Sequence, residues 1–210
     1  MRIVHVMMVF GLALISGCTS TGPRHYGTEQ LNQQGVQYLT NNDLPKAHEK
    51  FVEAWKIEPQ NADTLYNLAS TYHRKGQNAD AEKYYRQALQ INPKLEECRH
   101  NYYLLLVSEN RTTEARGEAE KWLAQNRKSA DAYTEVGWLM RMEGNLPDAQ
   151  KNLEQALTLE PHNTEALLEM GKTYQDLQMN ERARGLYVRV LQQDPTNKEA
   201  KAQLTALPKK

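Results

Sequence analysis

Little in this chain of 210 residues points to chemistry, and the absences narrow it first. Two cysteines are too few for the disulfide framework of a small secreted domain. Lys plus Arg and Asp plus Glu both number 26, so no net field draws the chain to nucleic acid or to an anionic membrane surface. With 25% charged residues and two Phe, the body is too polar for a polytopic membrane protein. No glycine-rich phosphate loop or nucleophile elbow occurs. His48-Glu49 lacks the second histidine of a zinc-binding helix, because position 52 is Val. His25, His48, His73, His100 and His162 are scattered. His73 and His100 fall at different heights on separate helices, which argues against a metal site. Neither catalysis nor a cofactor is expected.

The one long apolar run stands at the start. Arg2 precedes Ile3 to Ile15, thirteen residues without an acid or a lysine, which is the pattern of an export signal. A spanning helix needs about 20 residues to cross roughly 30 Å of hydrocarbon, so this segment is expected to be cleaved. Ile15-Ser16-Gly17-Cys18 resembles the bacterial lipobox, in which small residues precede the cysteine that is acylated. The resemblance implies a signal peptide over 1–17 and lipidation at Cys18. Each buried methylene contributes about 0.8 kcal/mol, so several acyl chains anchor stably. Thr19 in place of Asp favours the periplasmic face of the outer membrane. Cys98 is then the one remaining thiol, expected buried or half-buried, and stability must come from packing. Residues 18–27, with Ser20, Gly22, Pro23 and Gly27, read as a lipidated tether.

What is abundant is self-similarity. Pro59, Pro93, Pro161 and Pro195 are related by multiples of 34 residues, and Ala47, Ala81, Ala115, Ala149 and Ala183 follow the same offset without a gap. Phe51, Tyr85, Leu153 and Tyr187 form a bulky column, and Gly35, Ala69, Gly137 and Gly171 a small one. Leu65, Leu68, Ala69 and Tyr72 sit at helical spacing, Gly76-Gln77-Asn78 breaks it, and Ala81, Tyr84, Tyr85, Ala88 and Leu89 resume it. Each period is therefore a helical hairpin, with the small column letting two backbones approach. Proline closes the second helix, and Asn61, Ser129 and Asn163 are placed to cap the next.

This 34-residue pattern resembles the tetratricopeptide repeat. The resemblance implies a right-handed all-α solenoid of five hairpins, 28–61, 62–95, 96–129, 130–163 and 164–197. A capping helix and tail follow over 198–210. The third repeat departs: Tyr103 replaces the small residue, Ala119 the bulky one, Trp122 the Ala near the end of the second helix, and Arg127 the Pro. Tyr103 is expected to fill the space that Ala119 leaves, with a bend at mid-array.

In such arrays the first helices line a concave groove that binds a protein or extended peptide. Carried over position by position, the groove comprises Asn32 and Val36; Tyr66, Asn67, Ser70, His73 and Arg74; His100, Asn101 and Leu104; Thr134, Glu135, Trp138 and Arg141; and Leu168 and Lys172. Side-chain amides at Asn67 and Asn101 suit a peptide backbone. Trp138 reads equally as an interface anchor or as packing between hairpins. Glu97 and Asn101 stand where the two-carboxylate clamp of chaperone-binding members has basic residues, so that clamp is not expected. Nor is nucleic acid a partner. The carboxylates of the first helices are explained by the helix dipole before acid–base chemistry.

A lipobox followed directly by such an array resembles the lipoproteins that help type IV pilus secretins assemble. The alternatives are an adaptor for cell-wall enzymes, a self-associating structural lipoprotein, and an accessory enzyme with an unrecognised site.

Overall fold

A computed structural model describes residues 23–208, so the signal segment and Cys18 lie outside the described residues. Eleven helices and no strands occur among those residues: α1 Pro23–Thr40, α2 Leu44–Ile57, α3 Ala62–Arg74, α4 Asn78–Ile91, α5 Glu96–Ser108, α6 Thr112–Gln125, α7 Ala130–Met142, α8 Leu146–Leu159, α9 Thr164–Asp176, α10 Asn180–Gln193 and α11 Lys198–Ala206. Consecutive helices pair into five hairpins, and α11 packs on α10 to close the solenoid. Of the tether expected over 18–27, residues 23–27 are helical. α1 begins at Pro23, where proline's fixed φ and missing N–H suit a first turn, and Gly27 already packs near Ile57 of α2.

Each hairpin turns by one device. The fifteenth residue of every repeat has a left-handed backbone: Asn42, Gly76, Asn110, Gly144 and Gln178, with φ from 59° to 80°. The N–H after it reaches back to the last turn of the first helix, as in Gln77 to Tyr72 O at 2.9 Å and Met179 to Tyr174 O at 2.7 Å. The left-handed residue donates to the next carbonyl along, as in Gly76 to His73 O at 2.9 Å. This Schellman arrangement satisfies carbonyls the helix end would leave bare. On the other side of the hairpins, Asn61, Ser129 and Asn163 accept from backbone N–H groups three residues on, at 2.9, 3.1 and 2.9 Å. The third hairpin lacks this: its N-cap residue is Leu95, with no side-chain bond.

The core runs between the two helices of each hairpin. Phe51, Tyr85, Leu153 and Tyr187 are fully buried against the small column. A Cβ added at Gly137 would stand 2.7 Å from Leu153 Cγ, and one at Gly35 or Gly171 would collide with the ring of Phe51 or Tyr187. In the third hairpin Tyr103 and Ala119 are both buried and belong to one cluster. α5 and α6 nonetheless pack less closely than the other pairs. Cys98 is buried there, and desolvation pushes its thiol up to about 12, so the thiolate that reactive chemistry needs is suppressed.

Candidate functional site: the face of the first helices

The odd-numbered helices, α1 to α9, present one face in succession. Its residues fall into three linked groups. In the first, the Asn32 amide donates to Thr64 Oγ1 at 2.8 Å, and the Asn101 amide donates to Tyr66 Oη at 2.9 Å. Tyr66 Oη in turn faces Glu97 at 3.5 Å. Asn67 and Ser70 are half-buried beside them, while His73 stands edge-on to Tyr85 with centroids 6.3 Å apart. Desolvation lowers the His73 pKa. Arg74 reaches back one hairpin to the Leu39 carbonyl at 2.8 Å.

The second group centres on His100. Its Nδ1 lies 2.8 Å from Glu135 Oε1, and its ring is 5.0 Å from that of Trp138. Desolvation pulls the His100 pKa down, but the hydrogen bond and charge of Glu135, with Glu165 and Glu169 beyond, outweigh it and leave the pKa raised. A cleft of about 220 Å³ opens beside it, with Glu96, Glu97, Asp131 and Glu165 in its walls. Desolvation, then Asp131 and Glu160, raise Glu96; desolvation, then Glu169, raise Glu165. Asp131 thus acts on Glu96 across this cleft, and an incoming cation would relieve Glu96.

The third group is an ion-pair chain. Glu169, whose side chain is 3% exposed, accepts from Arg141 at 3.0 Å and Lys172 at 2.6 Å. Arg141 also meets Asp176, and Lys172 meets Glu199 of the capping helix. Two cations around one buried carboxylate, each with a second partner, tie the last two hairpins and the cap together.

The structure sorts the residues carried over from the repeat pattern. Val36 and Leu104, at 44% and 38% exposed, are large apolar side chains open on this face. Trp138 is 6% exposed and serves as the wall behind His100, which makes it a packing residue in this structure. Thr134 and Leu168 are 3% exposed; the Thr134 hydroxyl is spent on the Ala130 carbonyl, and Leu168 joins the last core cluster.

One feature crosses all five hairpins. The second position of the repeat is acidic every time: Glu29, Asp63, Glu97, Asp131 and Glu165. Among the described residues Asp63, Glu97, Asp131 and Glu165 enter no ion pair, although Asp131 accepts from Asn163 at 3.0 Å. The sequence signal was there to find, but each acid taken singly is explained by its helix dipole. Only alignment of the repeats shows a row. No group of three His, Cys, Asp or Glu among the described residues could hold a metal ion.

An all-helical stack of hairpins with a row of acidic residues along its first helices belongs to the class of helical-repeat proteins. Within that class, residues 62–95 and 140–207 match models of the tetratricopeptide repeat, and these segments are such repeats. The photosystem I assembly protein Ycf3 of Synechococcus sp. (strain CC9605) is 32% identical over 110 residues, which is 50% of this chain and 62% of that protein. The chain thus covers less than two thirds of that relative. The BBSome complex member BBS4 of Bos taurus is 28% identical over 144 residues, covering 28% of that protein. Among solved structures, a tetratricopeptide-repeat protein of Thermus thermophilus superposes with a TM-score of 0.69 at 20% identity, covering 85% of this chain and 97% of that one. PilF of Pseudomonas aeruginosa gives 0.65 at 20% identity, covering 87% and 83%. PilW, a type IV pilus biogenesis factor, gives 0.62 at 23% identity, covering 85% and 87%. At these identities the likeness is one of fold.

Proposed function

We propose that this chain is a non-catalytic interaction scaffold, anchored through Cys18 to the periplasmic face of the outer membrane, that holds a segment of a partner protein on the face of its first helices. The observation that carries this reading is the row of acidic second positions beside the exposed Val36 and Leu104. Hairpin closure does not use them, although Glu97 and Asp131 also touch the neighbouring repeat. A carboxylate row flanking apolar side chains suits an extended segment that alternates Lys or Arg with apolar residues, held partly by steering and partly by burial. Assembly of a type IV pilus secretin is the more specific form of this reading, supported by the fold shared with PilF and PilW along most of the chain. Ycf3, whose name makes it an assembly protein, supports the broader one.

The test is a pull-down from detergent-solubilised membranes, comparing the acylated chain with a variant carrying Asp63→Asn, Glu97→Gln and Leu104→Ser. A secretin or pilus component retained by the wild type and lost by the variant supports the assembly role. Cell-wall enzymes lost in the same way redirect the reading to an adaptor. Identical retained proteins contradict the use of this face. Palmitate labelling that persists in a Cys18→Ala variant would contradict the anchor.

A further inference from the structure

The third hairpin places charge where the others place carbon. At the fourth position of the repeat the other hairpins carry Leu31, Leu65, Tyr133 and Leu167, and here it is Arg99, 8% exposed. Its guanidinium lies 4.1 Å from the Trp122 ring, and one terminal nitrogen donates to the Pro93 carbonyl. Its Nε–H is buried and meets no protein acceptor. The next residues inward, Tyr102 and Tyr103, are 3% and 1% exposed; both hydroxyls are buried with no hydrogen bond of ordinary length, and that of Tyr103 lies near enough to Arg99 to be influenced by its guanidinium. All three side chains line one cleft of about 320 Å³, walled by α4 and α6 and floored by α5, on the side of the second helices.

Two of the charges around this cleft are settled. Arg86 at its edge is held by Glu82 and Glu114, both at 3.0 Å, and Glu118 is taken by Lys121 at 3.1 Å. Arg99 enters none of the ion pairs among the described residues. Burying a guanidinium outside any ion pair, beside two unmet hydroxyls, is costly, although Glu96 in the adjoining cleft is near enough to feel its charge. The other hairpins show that an apolar residue satisfies this fold at the same place. A residue that breaks the local packing rule with no evident structural gain marks a candidate functional position.

Three side chains with unmet polar atoms line one cavity, and a group that accepts, with two oxygens to share, would meet them. A carboxylate fits this description. A phosphate dianion fits less well, because Glu118 stands in the same wall. A second cleft of about 700 Å³ shares Leu89, Arg99 and Glu118 with the first and runs past Pro93 and Trp122, offering apolar cover to a neighbouring side chain. We infer that the cleft between α4 and α6 is a second protein-binding site, which takes a peptide carboxylate on Arg99, Tyr102 and Tyr103 and an adjacent apolar side chain against Trp122. A chain terminus and an Asp or Glu side chain supply the same group.

The probes are four short peptides added to the full chain labelled with nitrogen-15, while the Arg99 Nε–H resonance is followed. They are acetyl-Gly-Ser-Leu-Leu with a free carboxylate, its amide, acetyl-Leu-Asp-Leu-amide, and the same peptide with Asn for Asp. At least one carboxylate peptide is expected to shift the resonance saturably and to bind at least about tenfold more tightly than its neutral counterpart, the ratio that one charge-assisted hydrogen bond gives. The pair that differs tells the terminus from the side chain. Arg99→Leu is expected to abolish the binding, read on neighbouring backbone resonances, while the unfolding midpoint holds or rises. Tyr102→Phe with Tyr103→Phe deletes only hydroxyls, and is expected to weaken binding about tenfold without lowering the midpoint. Equal behaviour of charged and neutral peptides, or unchanged binding in the double Phe variant, overturns the site. Leu104→Ser on the opposite face leaves the titration unchanged, so failure here and failure of the first-helix reading are told apart.

Discussion

In four hairpins a small residue on the first helix faces a large one on the second: Gly35 and Phe51, Ala69 and Tyr85, Gly137 and Leu153, Gly171 and Tyr187. In the third the roles are exchanged, with Tyr103 on α5 and Ala119 on α6. Tyr103 and Ala119 are the same two residue types as Ala69 and Tyr85 with the helices exchanged, yet α5 and α6 sit less closely together and a cleft opens over Arg99. A repeat fold thus tolerates the inversion of a contact when volume is kept, and the loosened hairpin carries the cleft over Arg99.

The largest expected effect comes from undoing one side of the exchange. Tyr103→Ala leaves two small residues facing each other and is expected to cost about 3–5 kcal/mol in urea unfolding. Adding Ala119→Phe should restore much of that, with a coupling well beyond the sum of the single changes. Additive effects would mean that the two positions do not share a space. The mirror case is Gly137→Ala, expected to cost about 1–3 kcal/mol because its Cβ meets Leu153.

A smaller effect separates the turns. Gly76 and Gly144 take the left-handed backbone freely, and Asn42 and Asn110 tolerate it, but Gln178 adopts it at φ 61° with a long side chain. Gln178→Gly is expected to raise stability by about 1 kcal/mol, and Gly144→Gln to lower it by a similar amount. A melt unchanged by both would contradict the Schellman account.

The smallest effect is electrostatic. His100 is raised above its ordinary 6.5 because Glu135, Glu165 and Glu169 outweigh its desolvation. Its contribution to stability is therefore fully present below the unfolded value near 6.5 and is lost as pH rises through the higher native value. Glu135→Gln is expected to lower the His100 titration midpoint followed by NMR. No downward movement would remove Glu135 as the cause.

The hairpins were legible because a period of 34 fixes every helix relative to the next, and the turn glycines and Asn caps announced most boundaries. The turn at Gln178 gave no such signal, since Gln does not favour a left-handed backbone and only the repeat frame located it. Pro23 was read with the tether because glycine and proline nearby mark loops, whereas this proline opens a helix. The open face was legible in part. Transferred position by position, it included Val36 and Leu104, which are exposed, but also Thr134 and Leu168, which stacking covers. Burial on this face depends on the neighbouring hairpin, and a single repeat does not carry that information. Arg99 escaped notice because an arginine early in a helix is ordinary until Trp122 and the cleft are seen beside it.

The central claim is that the first-helix face holds the partner. It is tested most directly in living cells by a photo-crosslinking residue, benzoylphenylalanine, placed in turn at Val36, at Leu104 and at Val188. All three are large, exposed positions, but Val188 lies on the second helix of the last hairpin. The account predicts the same higher-mass adduct from Val36 and Leu104 and none from Val188. Adducts from Val188 alone would contradict it.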